Sequence, residues 1–189
     1  MQWTVPGTIL QLSREEAAQV PERLRSMFLA GGIALSQVSA VTGLESYTIQ
    51  NWVKRGFLTS PEKKRYSLRQ LCRILNINML KSILPMEDIC RLLGYVNGRL
   101  NDESDDMIDD SVLYFMFVEL AAEIRTPRDA QAQKQVLSRV LSQYNEPIPG
   151  ARDRVEKVLQ IMLTAWLAAR LRQEAEKQMN QIKGEMCYE

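Results

Sequence analysis

The chain has 189 residues, 46% of them apolar and 25% charged, with 9 Gly and 7 Pro, which is too hydrophobic for disorder and the size of one domain or a small head with a helical body. It contains no histidine. This removes imidazole acid/base catalysis, Ser-His and Cys-His nucleophiles and histidine-ligated zinc together. The net charge of +1 conceals a division: residues 1–100 hold 13 Lys/Arg against 7 Asp/Glu, whereas residues 101–189 hold 11 against 16. A basic first half and an acidic second half suit different partners.

Met1 to Leu12 has no basic stretch followed by an apolar core, so it does not read as a signal peptide. Ser13 with Glu16 has capping-box spacing and predicts a short helix, restarted at Pro21 and ended by Gly31-Gly32. Residues 1–32 therefore read as an N-terminal helical extension. Leu35, Val38 and Val41 share one helical face before Gly43, and Glu45 or Ser46 can cap a second helix. That is the plan of a helix-turn-helix. In the second helix Ile49, Trp52 and Val53 form an inward stripe, while Tyr47, Gln50, Asn51 and Lys54 fall on the other side. Gln and Asn can each make a bidentate contact with adenine, and Lys and Arg hold phosphates.

Gly56-Phe57-Leu58 breaks that helix, and a short β-wing is expected between Phe57 and Tyr66. The run Lys63-Lys64-Arg65-Tyr66 reads with even weight as a phosphate contact or a solvated loop. Ser67 with Gln70 opens a helix to about Lys81, Pro85 starts another, and Gly94 is placed to close it. Residues 101–110 carry six acidic side chains and read as a solvated linker; a calcium loop is excluded, because the turn glycine and the bidentate Glu are missing. Asp110 or Ser111 can cap a helix through Ile124. Thr126-Pro127-Arg128-Asp129 is a stop and a fresh start, and Asn145 to Gly150 is the next break. The last helix is expected from Ala151 to about Lys183. The fold class is all-α, with a head over 33–100 and a helical body over 111–189.

Cys72 and Cys90 sit on apolar helix faces and read as inert small hydrophobes, and Cys187 lacks a partner; with no Cys-x-x-Cys pair, a reducing, cytoplasmic setting is expected. The densest apolar run, Val158 to Ala169, is too short to cross a bilayer. No cofactor, metal site or enzyme active site is read from these residues. Val155, Leu159, Met162, Trp166 and Ala169 make a heptad-like seam, the expected interface of a homodimer through the C-terminal helices. The alternative is burial of that seam within one bundle, against the Val112 to Leu120 and Val136 to Leu141 helices.

The order Thr42-Gly43, Thr48-Ile49, Gly56-Phe57-Leu58 and Arg65-Tyr66-Ser67, followed by Ile83-Leu84-Pro85-Met86-Glu87, resembles the winged helix-turn-helix head of the mercury-resistance-regulator (MerR) family. The chain is also similar to an uncharacterised bacterial family that carries such a head before an all-helical body. The resemblance implies a transcriptional regulator that binds double-stranded DNA. Its contacts would come from Ser46, Tyr47, Thr48, Gln50, Asn51, Lys54, Arg55, Lys63, Lys64, Arg65 and Tyr66. The family's Arg-Tyr-Tyr is replaced by Gln50-Asn51-Trp52, so that phosphate clamp does not carry over, and the family's metal-sensing cysteines are absent. A protein-interaction module that keeps the helix-turn-helix shape without binding DNA is the second expectation.

Overall fold

The computed structural model describes residues 2–124 and 129–186, with side chains through residue 182. It is mostly helical with one small sheet, in broad agreement with the all-α expectation. Residues 2–13 correct the expectation of a wholly helical extension. They form an antiparallel hairpin of β1 (Gln2–Thr4) and β2 (Gln11–Ser13), with Trp3 opposite Leu12. Trp3 and Val5 alternate inward, and their burial fixes the extended backbone. Thr8 braces the connecting loop by donating its hydroxyl to the Val5 carbonyl and accepting from the Leu10 N–H, both at 3.0 Å. A glycine is required at Gly7. Its φ is +73°, and an added Cβ would lie 2.3 Å from the Leu75 carbonyl oxygen.

A 3-10 turn over Arg14–Gln19 follows, started by the Glu16 carboxylate accepting from the Ser13 N–H at 2.9 Å, and runs into α1 (Val20–Ser26), with Pro21 in its first turn. Next come α2 (Leu35–Thr42) and α3 (Ser46–Lys54), joined at Gly43, whose φ of +71° ends α2 in the left-handed conformation. The capping box expected at Ser67 and Gln70 is complete, with bonds of 2.9 and 3.1 Å, and opens α4 (Leu68–Leu80). Nine of its thirteen residues are buried, which marks α4 as the central helix rather than a surface one.

Pro85 precedes α5 (Met86–Asn97), but Gly94 lies inside this helix and the stop is Gly98, at φ +53°. There an added Cβ would strike the Asp105 carboxylate, which accepts from the Arg99 N–H. Asp109 caps α6 (Asp110–Glu123) by accepting from the Ser111 N–H at 2.7 Å, and Asp129 caps α7 (Ala130–Ser142) through the Ala132 N–H. The proposed stop at Thr126-Pro127-Arg128 lies outside the described residues, as does Cys187. Finally, α8 (Ala151–Met186) starts where expected. Among the described residues no helix is long and apolar enough to cross a membrane.

One hydrophobic core runs from Trp3 to Leu167 through both halves of the chain. α4 lies along α6, while α8 packs on α5, α6 and α4. Val155, Leu159, Met162, Trp166 and Ala169 are all buried in this chain, and Trp166 meets Phe117 edge to face at 6.1 Å. The seam expected to receive a second copy is therefore covered from within, because α5 and α6 supply its apolar partner surface.

Candidate nucleic-acid interface

The inner side of α3 is fixed by Ile49, fully buried, and Trp52, 5% exposed, with the Lys81 ammonium 5.8 Å from the Trp52 ring. Burial holds the Lys81 pKa below its ordinary value. With this side locked, the i, i+3, i+4, i+7 set Tyr47, Gln50, Asn51 and Lys54 points outward, and all four are exposed, Tyr47 by 71%. Thr48 and Ser46 are half-buried at its margins. The Ser46 hydroxyl shares a 3.1 Å hydrogen bond with Ser39, which ties α3 to α2. Thr42 closes the connection by donating to the Val38 carbonyl and accepting from the Leu44 N–H.

The β-wing expected between Phe57 and Tyr66 is reduced to a tight turn. Glu62 bridges to Arg65 around Lys63 and Lys64, both left-handed at φ +47° and +63°, and the Arg65 N–H donates to the Glu62 carbonyl at 2.8 Å. The strand pairing is instead with Ile33, which exchanges 2.8 and 2.9 Å backbone bonds with Tyr66. An added Cβ at Gly32 would lie 2.7 Å from the Tyr66 carbonyl, so glycine lets these backbones meet. Successive residues on extended backbone face opposite ways. Arg65 accordingly points out, donating to the Gly32 carbonyl at 3.1 Å, and Tyr66 points in, only 3% exposed. Tyr66 is thus removed from the set of DNA-contacting candidates. Arg55 is exposed, but its guanidinium stacks 4.6 Å from the Phe57 ring and lies 3.6 Å from Glu87. Lys54, Lys63 and Lys64 have no ion pair among the described residues.

Behind this face lies a network that composition misread. Of the acidic run, Asp110 is almost wholly buried and the Asp106 side chain nearly so. Arg69 on α4 reaches Asp106 at 2.5 Å and Glu103 at 3.1 Å; Arg73, one turn on, reaches Asp110 at 3.3 Å and donates to the Phe57 carbonyl. Burial pushes both carboxyls above their ordinary pKa, against the pull of the arginines. The Arg69–Arg73 spacing on a buried helix was the available signal, since buried cations demand partners. Burial also raises the thiol pKa of Cys72 far above, and of Cys90 above, the usual range, consistent with inert side chains. Among the described residues no cluster of three or more Cys, Asp or Glu could hold a metal ion.

The protein described as "Uncharacterized protein YkrK" of Bacillus subtilis (strain 168) is 36% identical over 86 residues, which is 43% of this chain and 37% of that relative. The chain thus matches little more than a third of the relative's length. No solved structure matches. Residues 32–117 match the family described as Domain of unknown function (DUF1836), a segment that holds the outward face of α3, the Lys63-Lys64 turn and the Arg69–Arg73–Asp110 network.

Proposed function

We propose that this protein is a transcriptional regulator that binds double-stranded DNA through a helix-turn-helix formed by α2 and α3. The observation that carries the reading is the outward i, i+3, i+4, i+7 face of Tyr47, Gln50, Asn51 and Lys54 on a helix whose other side is locked by Ile49 and Trp52. Two amides on a rigid helix supply the donor and acceptor pairs that a major groove presents in complement. Lys63 and Lys64, at the tip of a tight turn, supply phosphate contacts that set register without reading sequence. The order of residues that resembles a MerR-type head supports the same assignment.

Duplex binding measured by anisotropy at several salt concentrations tests this. Affinity is expected to fall with a log–log slope of about −0.9 per phosphate contact. Asn51→Ala should remove sequence preference at about 1–3 kcal/mol per lost base contact, whereas Lys54→Ala should weaken all duplexes alike. Absence of binding at low salt to random or promoter duplexes rejects the proposal. The second reading, a protein-interaction module of the same shape, is favoured by the withdrawal of Tyr66 into the core and the engagement of Arg55 by Glu87.

A further inference from the structure

α2 has eight residues, little more than two turns, and a helix that short does not persist on its own. Its last carbonyls need donors from elsewhere, because no further turn of helix supplies them. Local groups serve two of them: the Ser39 carbonyl accepts from the Gly43 N–H and the Val38 carbonyl from the Thr42 hydroxyl, both at 2.8 Å. The final two carbonyls are served by distant parts of the chain. The Ile9 N–H donates to Val41 at 3.0 Å, and Asn78 Nδ2, from α4, donates to Thr42 at 3.0 Å.

The same Asn78 amide donates to the Gly7 carbonyl at 2.8 Å. Its two hydrogens are thus both used, and one side chain joins the loop of the N-terminal hairpin, residues 5–10, to the end of α2. The loop is itself anchored in the core. Val5 is buried, Gly7 lies against the Leu75 carbonyl of α4, and the buried Tyr114 of α6 donates its hydroxyl to the Pro6 carbonyl at 2.8 Å. On its other side the Ile9 side chain covers Gly43, where an added Cβ would lie 2.5 Å from Ile9 Cγ2. Gly43 is the residue at which α2 turns towards α3. The hairpin loop therefore touches the helix-turn-helix at its turn, and α4 and α6 hold that loop in place.

We propose that residues 5–10 and Asn78 form a strap that sets the pose of α3, with Asn78 the positioning residue on which the sequence preference of the α3 face depends. The consequence for DNA rests on the reading given under Proposed function; the strap itself does not. A bidentate amide contact with a base edge requires fixed placement of the helix, whereas phosphate contacts fix position without reading sequence. Releasing the strap should therefore cost preference, and leave the phosphate contacts of Lys54, Lys63 and Lys64 in being.

Two measurements on the full chain test this, with Asn78→Leu as the variant and Val140→Ala, which removes buried volume in α7, as a control for general destabilisation. Asn78→Ser, which keeps a single shorter donor, replaces the leucine variant if that chain does not fold. Amide exchange over residues 41–48 should quicken at least about five-fold in the Asn78 variant and stay at the wild-type rate in the control. Against the duplex that the wild type selects from a random pool, the Asn78 variant should lose roughly ten-fold in affinity and its preference over random duplex, with the salt slope unchanged. Unchanged exchange over 41–48, or equal quickening in the control, overturns the strap. Quickened exchange with the duplex preference intact overturns the positioning role. If the wild type selects no duplex, the DNA reading and with it the positioning role fall, while exchange still decides whether the strap holds the turn.

Discussion

The turn that carries Lys63 and Lys64 offers a test in which stability and affinity move in opposite directions. Both residues hold positive φ, +47° and +63°, and Arg65 closes the turn onto Glu62, the geometry of the primed type I class. A side chain with a Cβ sits about 1 kcal/mol or more above glycine in this region, and Asn-Gly is the pair that such turns prefer. Replacing Lys63 with Asn and Lys64 with Gly should therefore stabilise the chain by about 1–2 kcal/mol, a rise in Tm of roughly 2–8 °C for a chain of this length. If the two ammonium groups hold phosphates, the same variant loses two ion contacts, and the log–log salt slope of duplex binding should flatten by about 1.8. Calorimetry and anisotropy on one preparation read both quantities. An unchanged Tm would refute the strain argument. A raised Tm with unchanged affinity and salt slope would refute the phosphate role and leave the turn a solvated loop.

Removing Asp110 as Asp110→Ala strands the buried Arg73 guanidinium, with an expected loss of about 3–5 kcal/mol in urea unfolding; a loss under about 1 kcal/mol would show the pair to be dispensable. Because burial raises the Asp110 pKa, the folded chain takes up that proton more readily than the unfolded one, so this carboxylate's contribution to stability falls as pH rises through the raised pKa. The wild type should thus gain on Asp110→Asn as pH is lowered through that window towards the ordinary carboxylate range, and a pH-independent gap would contradict the assignment. Gly7→Ala meets both a left-handed φ and the Leu75 carbonyl, and should cost more than about 2 kcal/mol. Tyr66→Phe should leave duplex affinity untouched, whereas Tyr47→Ala should lower it; the reverse pattern would place the DNA contact elsewhere.

What was legible in the sequence was local. Ser67 and Gln70 announce α4 because a capping box is complete within four residues, and the polar face of α3 is legible because helical period alone sorts Gln50 and Asn51 from Ile49 and Trp52. The three-residue strands at Gln2–Thr4 and Gln11–Ser13 are too short to display alternation, and what holds them, Gly7 against Leu75, is a contact between distant parts of the chain. Gly94 carries the same letter as Gly98, but the backbone turns at Gly98, where the Asp105 carboxylate receives the next N–H. The acidic run reads as solvated by composition, yet Asp110 finds Arg73 thirty-seven positions away. Periodicity showed that Val155, Leu159 and Trp166 need a cover. It could not show that α5 and α6 of the same chain supply it.

The arginine pair on α4 gives the proposed DNA face its connection to the rest of the molecule. Arg73 donates to the carbonyl of Phe57, just past the end of α3, and holds Asp110 at the start of α6. Gln70, on the same helix, donates to the carbonyls of Thr59 and Ser60, and Arg69 grips Asp106 and Glu103. The segment that leads from α3 to the Lys63-Lys64 turn is thus held by one face of α4, while another face of that helix is packed along α6. A rotation of α4 against α6 could not leave the outward face of α3 and the two lysines in their present relation, because the same guanidinium would have to release either Phe57 or Asp110. Packing in a dense core favours discrete arrangements over gradual ones. Loosening this link by Asp110→Asn is therefore expected to lower duplex affinity as well as stability, measured by anisotropy on both chains at matched salt; an unchanged affinity would show that the α3 face is held without the buried pair.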